Sequence, residues 1–218
     1  MTDSIPVLGF CTLKRHDLAE KLMWSIDYPV DHLVIIDNSG TQNWTPPRVP
    51  MAKNQWNIQV PFGLGLVGAW NLIVKTTPYA PYWLLVNDDA HFEPGALKII
   101  AQEADPKTLS FPDIVPEWSC IVLGEKVVEK AGLYDERFYP LYFDDNDYAR
   151  RIDKAGFAIK RIQAKVHHEN SSTLKSGYEE KNSITYRANG QLFQSKLDNN
   201  DYSEGKWDLK TRRQNKWD

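Results

Sequence analysis

The sequence predicts an α/β domain with a largely parallel central sheet that helices cover on both faces. Short apolar runs with strand character alternate along the chain with helical patterns, which is the order that a parallel sheet requires. The strongest apolar run, residues 82–86, stops abruptly at polar residues, as a buried strand does at the edge of an open sheet. With 218 residues, 42% of them hydrophobic, the chain can bury one substantial core.

The first half of the chain contains six predicted elements. The first helix places Leu18, Leu22 and Met23 on one side, as an amphipathic helix does. Residues 44–53 carry three prolines and predict an irregular connection. In chain order, the predictions are a strand at 5–12, a helix at 17–25, strands at 32–36 and 57–60, a helix at 68–75 and a strand at 82–86.

The second half is predicted to complete this domain and then to extend beyond it. A helix begins at Asp144 and ends near Gly156, and a strand follows at 158–166. After about residue 175 the chain turns polar. We therefore expect one domain over residues 1–175 and a C-terminal extension over residues 176–218 that is partly helical or mobile.

Composition narrows the function classes. A net charge of −3 gives no electrostatic case for binding a nucleic-acid backbone, although a nucleic acid could still be a substrate in a narrow groove. Cys11 and Cys120 lie in apolar runs, which is typical of buried thiols in a reducing compartment. The sequence has no apolar run of about 18 residues, so we expect a cytoplasmic protein with no membrane span.

The strand at 82–86 ends at Asn87, Asp88 and Asp89. In an extended backbone, Asn87 and Asp89 point to one side of the strand and Asp88 to the other. Neighbouring carboxylates repel each other unless a positive charge lies between them, and a hard divalent cation with a bound phosphate is the usual solution. The alternative is a plain acidic turn that Pro94 and Gly95 close.

The glycine-rich segment at residues 63–68, GLGLVG, matches the dinucleotide fingerprint GxGxxG. Asp88 follows about 20 residues later, which fits the acidic partner of that fingerprint. However, two strand–helix units precede this segment, whereas the fingerprint normally follows the first strand of its sheet. An NAD(P)-binding oxidoreductase and a simple glycine turn into a helix are therefore both open interpretations.

A second acidic cluster begins the predicted helix at residue 144. Carboxylates in a first helical turn are favourable, and Asp147 is spaced to pair with Arg151 one turn later. The cluster has three acids, Asp144, Asp145 and Asp147. Helix capping and this ion pair together explain two of the three. Aromatic residues lead directly into the cluster, and a carboxylate at the rim of an apolar pocket is a plausible general base for a hydroxyl.

Two histidines, His167 and His168, follow the last predicted strand. Neutral imidazole is a common ligand of Mn²⁺-like ions, while a polar turn is the simpler interpretation.

Taken together, these segments resemble the nucleotide-sugar-dependent glycosyltransferases of the GT-A (Rossmann-like) fold, in particular the inverting family 2 group. The resemblance extends from about residue 6 to residue 173 and depends on the order and spacing of six motifs. They are FCTLKRHDL, VIIDNSG, FGLGLVGAWN, LLVNDDAHFEPGAL, AGLYDERFYPLYFDDNDYARRIDKAGF and VHHENSST.

The resemblance implies a role for each site residue. Asp89 and His167 would hold Mn²⁺ or Mg²⁺, and Asp145 would be the base, with Asp144 as the alternative. Two positions depart from the family pattern: Asn87 stands at the first position of the DxD motif, and Asp144 stands where the family usually has Glu. Donor binding would fall to Thr12, Arg15, Asp37, Gly65, Asn71, Asn87 and Asp88.

The activity implied is metal-dependent, inverting transfer of a sugar from a nucleotide-diphosphate donor, with a UDP-sugar favoured, to an acceptor hydroxyl. The acceptor could be a glycan, a protein or a modified nucleic acid. Two other functions stay open, namely the Rossmann-type oxidoreductase and a non-catalytic domain that binds nucleotide sugars.

Overall fold

A computed structural model describes residues 3–40, 44–169 and 179–204 of the chain. These residues form an α/β domain with eight strands and six helices. In chain order they are β1 (Ile5–Thr12), α1 (His16–Trp24), β2 (Val30–Asp37), β3 (Ala52–Gln59), α2 (Gly65–Thr76), β4 (Tyr82–Asn87), β5 (Ala90–Phe92), α3 (Ala96–Glu103), β6 (Leu109–Asp113), β7 (Cys120–Gly124), α4 (Glu125–Ala131), α5 (Asp144–Lys154), β8 (Ile159–His168) and α6 (Glu179–Asp198).

The strands form one sheet in the order β3-β2-β1-β4-β7-β6-β8-β5. The four strands β3, β2, β1 and β4 pair in parallel, β7 is antiparallel to both of its neighbours, and β8 is parallel to β6. The register of β1 places Thr12 opposite Asp37 and Cys11 opposite Asn87. The carboxyl ends of β1, β2 and β4 therefore meet at one edge, which is where open α/β sheets bind ligands.

Apolar clusters cover both faces of the sheet, as predicted. Successive residues of a strand point to opposite faces, so Leu84 packs into one cluster and Leu85 into the other. Helices α1 and α3 contribute to the first cluster, and α2, α4 and α5 contribute to the second. Each fully buried leucine adds roughly 1.5–3 kcal/mol to the free energy of folding, so these two layers hold the strand ends in place.

Strand β3 is longer than the strand predicted at 57–60, and its first residues fall in the stretch predicted to be irregular. Among the described strands it pairs only with β2, at the edge of the sheet, and its side chains are mostly exposed or half-buried. A polar edge strand lacks the apolar alternation by which a strand is identified in a sequence.

Helix α6 lies within the predicted C-terminal extension, and residues 205–218 of that extension lie outside the described residues. Across residues 3–40, 44–169 and 179–204, none of the helices combines the length and apolarity that crossing a membrane needs.

Candidate active site

The carboxyl ends of β2 and β4 carry buried polar atoms that have no hydrogen-bond partner among the described residues. Asp37 is 3% exposed, and its Oδ1 accepts a hydrogen bond from the Ser39 N–H at 2.9 Å, while its Oδ2 has no partner. The same holds for Oδ1 of Asn87 and Nε2 of His16. Leaving such an atom unpaired costs about 1–3 kcal/mol, so these three atoms at or beside one edge form a set that water or a polar ligand would satisfy.

His16 is held beside Asp37 by a tryptophan. Its ring stacks on Trp44 with 4.5 Å between centroids and 5° between planes, and its Nε2 lies 3.8 Å from Oδ1 of Asp37. The indole N–H of Trp44 donates to Glu20 at 3.1 Å, which fixes the stack. Neither His16 nor Trp44 was predicted as a site residue, because their proximity depends on the path of the connection between β2 and β3.

Asp89 and His168 form a nearly buried pair next to this edge. Nε2 of His168 lies 2.9 Å from Oδ1 of Asp89, and both side chains are less than 10% exposed. The antiparallel pairing of β5 with β8 produces this contact because it sets Ala90 opposite His168. A carboxylate and an imidazole together are a donor set that suits Mn²⁺ and also accommodates Mg²⁺.

The structure brings His168, and not the predicted His167, to Asp89. His167 pairs with His91 in the strand register and stacks on its ring at 5.0 Å. Its Nε2 lies 2.7 Å from Oε1 of Glu93. Adjacent strand residues point to opposite faces, so only one of the two histidines can face Asp89.

Asp88 stands between Asp89 and the end of β1. Burial raises the pKa of its carboxyl to about 7, the Thr12 hydroxyl opposes that rise, and the charge of Asp89 adds to it. A carboxyl that titrates near neutrality beside a second carboxylate is one that a cation would stabilise. Among the described residues, His, Cys, Asp and Glu side chains form no group of three or more that could hold a metal ion, so a metal here would depend on Asp89 and His168 and on ligands from a substrate or water.

The second acidic cluster begins helix α5. Asp145 is partly exposed, and its Oδ1 accepts a hydrogen bond from the Asn146 N–H at 2.8 Å. Asp144 is buried, and burial, followed by the charge of Asp145, raises its pKa to about 7. The two residues before it, Tyr142 and Phe143, have φ angles of 79° and 64°. This left-handed backbone is strained for side chains other than glycine and costs on the order of 1–3 kcal/mol at each position.

Helix α6 holds that strained segment, which we call the acid loop (residues 139–145). The side-chain amide nitrogen of Asn189 lies 2.7 Å from the carbonyl oxygen of Leu141 and 3.4 Å from that of Tyr142. The ring of Phe143 packs against Gly190, where an added Cβ would come within 3.3 Å of it. The predicted extension therefore supplies part of the support of the candidate site.

The third acid, Asp147, belongs to a buried charge network. The predicted pair with Arg151 is present at 3.0 Å, and Nζ of Lys196 on α6 lies 2.8 Å from the other carboxylate oxygen. The same Nζ lies 2.7 Å from Asp135, which Arg137 also contacts at 2.6 Å. Burial alone would raise the pKa of Asp135, but Arg137 and Lys196 hold it below its ordinary value. The network thus joins α5, α6 and the residues near 135.

The glycine segment packs against the acid loop. Gly65 has a φ of 76°, and a Cβ there would lie 2.9 Å from the carbonyl oxygen of Pro140. The N–H of Leu66 donates to that oxygen at 2.8 Å, and the N–H of Leu64 donates to Oδ1 of Asn38 at 2.9 Å. A dinucleotide site needs such amides for the pyrophosphate, so this geometry disfavours the oxidoreductase interpretation.

Two other predicted donor-binding residues, Asn71 and Arg15, form hydrogen bonds with other groups of the protein. Asn71 is buried, its amide nitrogen donates to the Tyr134 carbonyl at 3.0 Å, and its oxygen accepts from the Tyr134 N–H at 3.0 Å. Arg15 pairs with Asp17 through two hydrogen bonds of 2.7 and 2.9 Å. The structure thus groups Thr12, Asp37, Asn87, Asp88 and Asp89 at one edge. It places Gly65 against the acid loop and Asn71 against Tyr134.

No protein-family model and no curated protein sequence matches the chain, but solved structures share its fold. S. aureus TarS in complex with UDP-GlcNAc superimposes with a TM-score of 0.59 at 11% identity, over 80% of this chain and 61% of that one. GalNAc-T7 with UDP, GalNAc and Mn²⁺ gives 0.58 at 8% identity, over 90% and 54%. The inositol-1-phosphate CTP transferase from T. maritima gives 0.53 at 13% identity, over 78% and 91%.

The predicted resemblance to the GT-A fold is therefore confirmed, since structural neighbours include glycosyltransferases that were crystallised with UDP or a UDP-sugar. At these identities the likeness establishes the fold. The chain spans 61% of the length of the TarS structure and 54% of that of GalNAc-T7.

Proposed function

We propose that the chain is a glycosyltransferase that moves a sugar from a nucleotide-diphosphate donor to an acceptor hydroxyl with inversion. The observation that carries the proposal is the strand edge, where the buried Asp89–His168 pair and Asp88 lie at the same edge of the sheet as the unpaired oxygens of Asp37 and Asn87. The end of the edge at Asp89 and His168 suits a diphosphate with a bound metal ion. The end at Asp37 and Asn87 suits a group with N–H and O–H donors. A nucleotide diphosphate has both.

The nucleotide would occupy the end of the edge near Asp37. The unpaired carboxylate oxygen of Asp37 can accept a hydrogen bond from a ring N–H, such as that of uracil. Oδ1 of Asn87 can accept one from a ribose hydroxyl. The UDP ligands of the TarS and GalNAc-T7 structures support UDP as the first donor nucleotide to test.

Asp89 and His168 would hold Mn²⁺ or Mg²⁺ at the diphosphate. When bound, the cation neutralises charge on the departing diphosphate. The imidazole of His168 must then be neutral and coordinate through Nε2, the atom that already faces Asp89.

Asp145 would be the general base. Its carboxylate takes the proton of the acceptor hydroxyl while that oxygen bonds to the anomeric carbon, and the bond from that carbon to the diphosphate oxygen breaks on the opposite side. Asp144 is the second candidate, since a pKa of about 7 suits a base at neutral pH. The partial exposure of Asp145 lets an acceptor reach it, whereas Asp144 is buried.

Asp145→Asn should lower sugar transfer by about 10²–10⁴-fold while leaving donor binding intact, because general-base catalysis contributes that much. Transfer is measured as UDP release that depends on an acceptor. Asp153→Asn changes an exposed acid on the same helix and should keep the wild-type rate. An Asp145→Asn enzyme that keeps most of its rate would remove Asp145 from this role and leave Asp144 to be tested the same way.

Donor binding itself is tested by thermal unfolding with UDP, GDP, dTDP or NAD(P), each with and without Mn²⁺. A nucleotide diphosphate with Mn²⁺ should raise the unfolding temperature of the wild type and of His167→Ala, but not of Asp89→Asn or His168→Ala. The two histidine variants form a matched pair, since they change adjacent residues of one strand. Stabilisation by NAD(P) instead of a nucleotide diphosphate would contradict the proposal. So would a result in which His167→Ala is the one variant that a nucleotide diphosphate with Mn²⁺ no longer stabilises.

Nucleotidyl transfer is a second candidate. The T. maritima CTP transferase is matched over 91% of its chain, a larger share than for either glycosyltransferase. Such an enzyme would join a phosphate ester to the α-phosphate of a nucleoside triphosphate and release pyrophosphate, whereas the proposed enzyme would release a nucleoside diphosphate from a nucleotide sugar. Assays for these two products separate the candidates.

A further inference from the structure

A pocket of about 730 Å³ lies between α6 and the acid loop. Its volume falls within the range of about 300–1,000 Å³ that is usual for ligand pockets. Tyr142 of the acid loop forms one wall, and one face of α6 forms the other, including Tyr186, Arg187, Gly190, Gln191 and Gln194. None of these residues belongs to β1, β2 or β4, so the pocket is separate from the strand edge assigned to the donor.

The chemistry of the lining matches a saccharide. The rings of Tyr142 and Tyr186 meet nearly at right angles, 76° apart with 5.4 Å between centroids, and form an aromatic corner. Tyr186 is 56% exposed, which leaves its ring accessible to a ligand. The amides of Gln191 and Gln194 and the guanidinium of Arg187 supply donors and acceptors for hydroxyl groups. An apolar surface with a few polar groups around it is typical of a pocket that orients a small ligand.

The backbone at Tyr142 gives a second reason to regard the pocket as functional. Glycine would adopt the φ of 79° found at Tyr142 without strain, whereas a residue with a side chain is strained there. The ring that this strained position carries forms the pocket wall and contacts Tyr186. The strain is held in place by Asn189, whose amide lies within 3.4 Å of the Tyr142 carbonyl.

In the sequence, the pocket residue Tyr142 also lies close to Asp145, the proposed general base. Tyr142 precedes Asp145 by three residues, and both belong to the acid loop. We propose that this pocket binds the acceptor, and that the acceptor is a saccharide whose ring packs in the corner of Tyr142 and Tyr186. This assignment rests on the proposed glycosyltransferase function.

The test is saccharide binding by the full chain, measured by saturation-transfer NMR and calorimetry. The probes are the p-nitrophenyl glycosides of glucose, galactose, N-acetylglucosamine, N-acetylgalactosamine and xylose, each with and without UDP and Mn²⁺. Tyr186→Ala should weaken binding of the best probe by about tenfold, as expected for loss of one aromatic contact. Ile184→Ala is the matched control, because Ile184 lies on the same helix, is also 56% exposed and does not line the pocket. It should bind within about twofold of the wild type.

Thermal unfolding checks that both variants fold. If Tyr186→Ala does not fold, Gln191→Ala replaces it, since Gln191 is exposed, with an expected loss of about threefold for one hydrogen bond. The acceptor assignment is overturned if no probe binds the wild type while UDP with Mn²⁺ does, or if the pocket variant and the control bind equally well. Failure of UDP to bind would instead reject the donor site, which the thermal-unfolding experiment reads separately.

Discussion

Buried polar groups are arranged in opposite ways in two regions of this molecule. At the strand edge, Asp37, Asn87 and His16 each keep a buried polar atom without a hydrogen-bond partner among the described residues. In the network under α6, the carboxylates of Asp135 and Asp147 each face two cations at 3.0 Å or less. The unpaired atoms of the edge can be satisfied by water or by a polar ligand, whereas the opposite charges of the network are paired with one another within the protein and join α5 to α6.

The largest effect is expected from breaking the network. Lys196→Met leaves Asp135 and Asp147 buried with one cation fewer, and removing one partner of a buried ion pair typically costs about 3–5 kcal/mol. The free energy of unfolding in urea at pH 8 measures this loss. Lys160→Met removes an exposed pair with Asp105 and should cost less than about 1 kcal/mol. Equal effects of the two variants would mean that the network does not stabilise the fold.

A change at the edge should affect ligand binding rather than stability. Asp37→Asn keeps the oxygen that accepts from Ser39 and replaces the unpaired oxygen with an NH₂ group. UDP affinity, measured by calorimetry with Mn²⁺, should fall by about 10–100-fold, since a mismatched buried polar group costs about 1–3 kcal/mol. The free energy of unfolding without nucleotide should stay within about 1 kcal/mol of the wild type. The reverse result, lower stability with unchanged affinity, would make Asp37 a structural residue.

Asp144 provides a pH-dependent test of the acid loop. Its pKa is raised from 3.8 to about 7, chiefly by burial and then by the charge of Asp145. The folded state therefore holds a proton that the unfolded state releases between pH 4 and pH 7, and ionised Asp144 lowers stability above that window. Asp144→Asn should stabilise the protein by on the order of 1–2 kcal/mol at pH 8 and by nothing near pH 4. Unfolding curves at both pH values measure the difference, and an equal effect at the two values would refute a raised pKa.

Much of the edge could be predicted from the sequence because its signals are local. Strand β1 was predicted with the bounds that it has, since nearly all of its side chains are buried and apolar. The clustering of Thr12, Asp37, Asn87 and Asp88 follows from parallel strands that end together. Residues 90–131 were harder, because β5, β6 and β7 have five residues or fewer and α3 has eight, lengths at which apolar patterns do not separate strand from helix.

Which of His167 and His168 faces Asp89 depends on the strand register. One step along a strand moves a side chain to the other face, and the pairing of Ala90 with His168 depends on the turn between β4 and β5. The contacts by which α6 supports the acid loop could not be predicted from the sequence either, because Asn189 and Lys196 contact residues about 50–60 positions earlier in the chain. Contacts at that separation leave no periodic pattern in a single sequence.

A crystal structure with UDP and Mn²⁺ tests the central claim most directly. The account predicts Mn²⁺ within about 2.0–2.3 Å of a carboxylate oxygen of Asp89 and of Nε2 of His168, with the diphosphate on the metal and the uracil ring at Asp37. A nucleotide bound at the glycine segment, or a metal bound at His167 and Glu93, would contradict it.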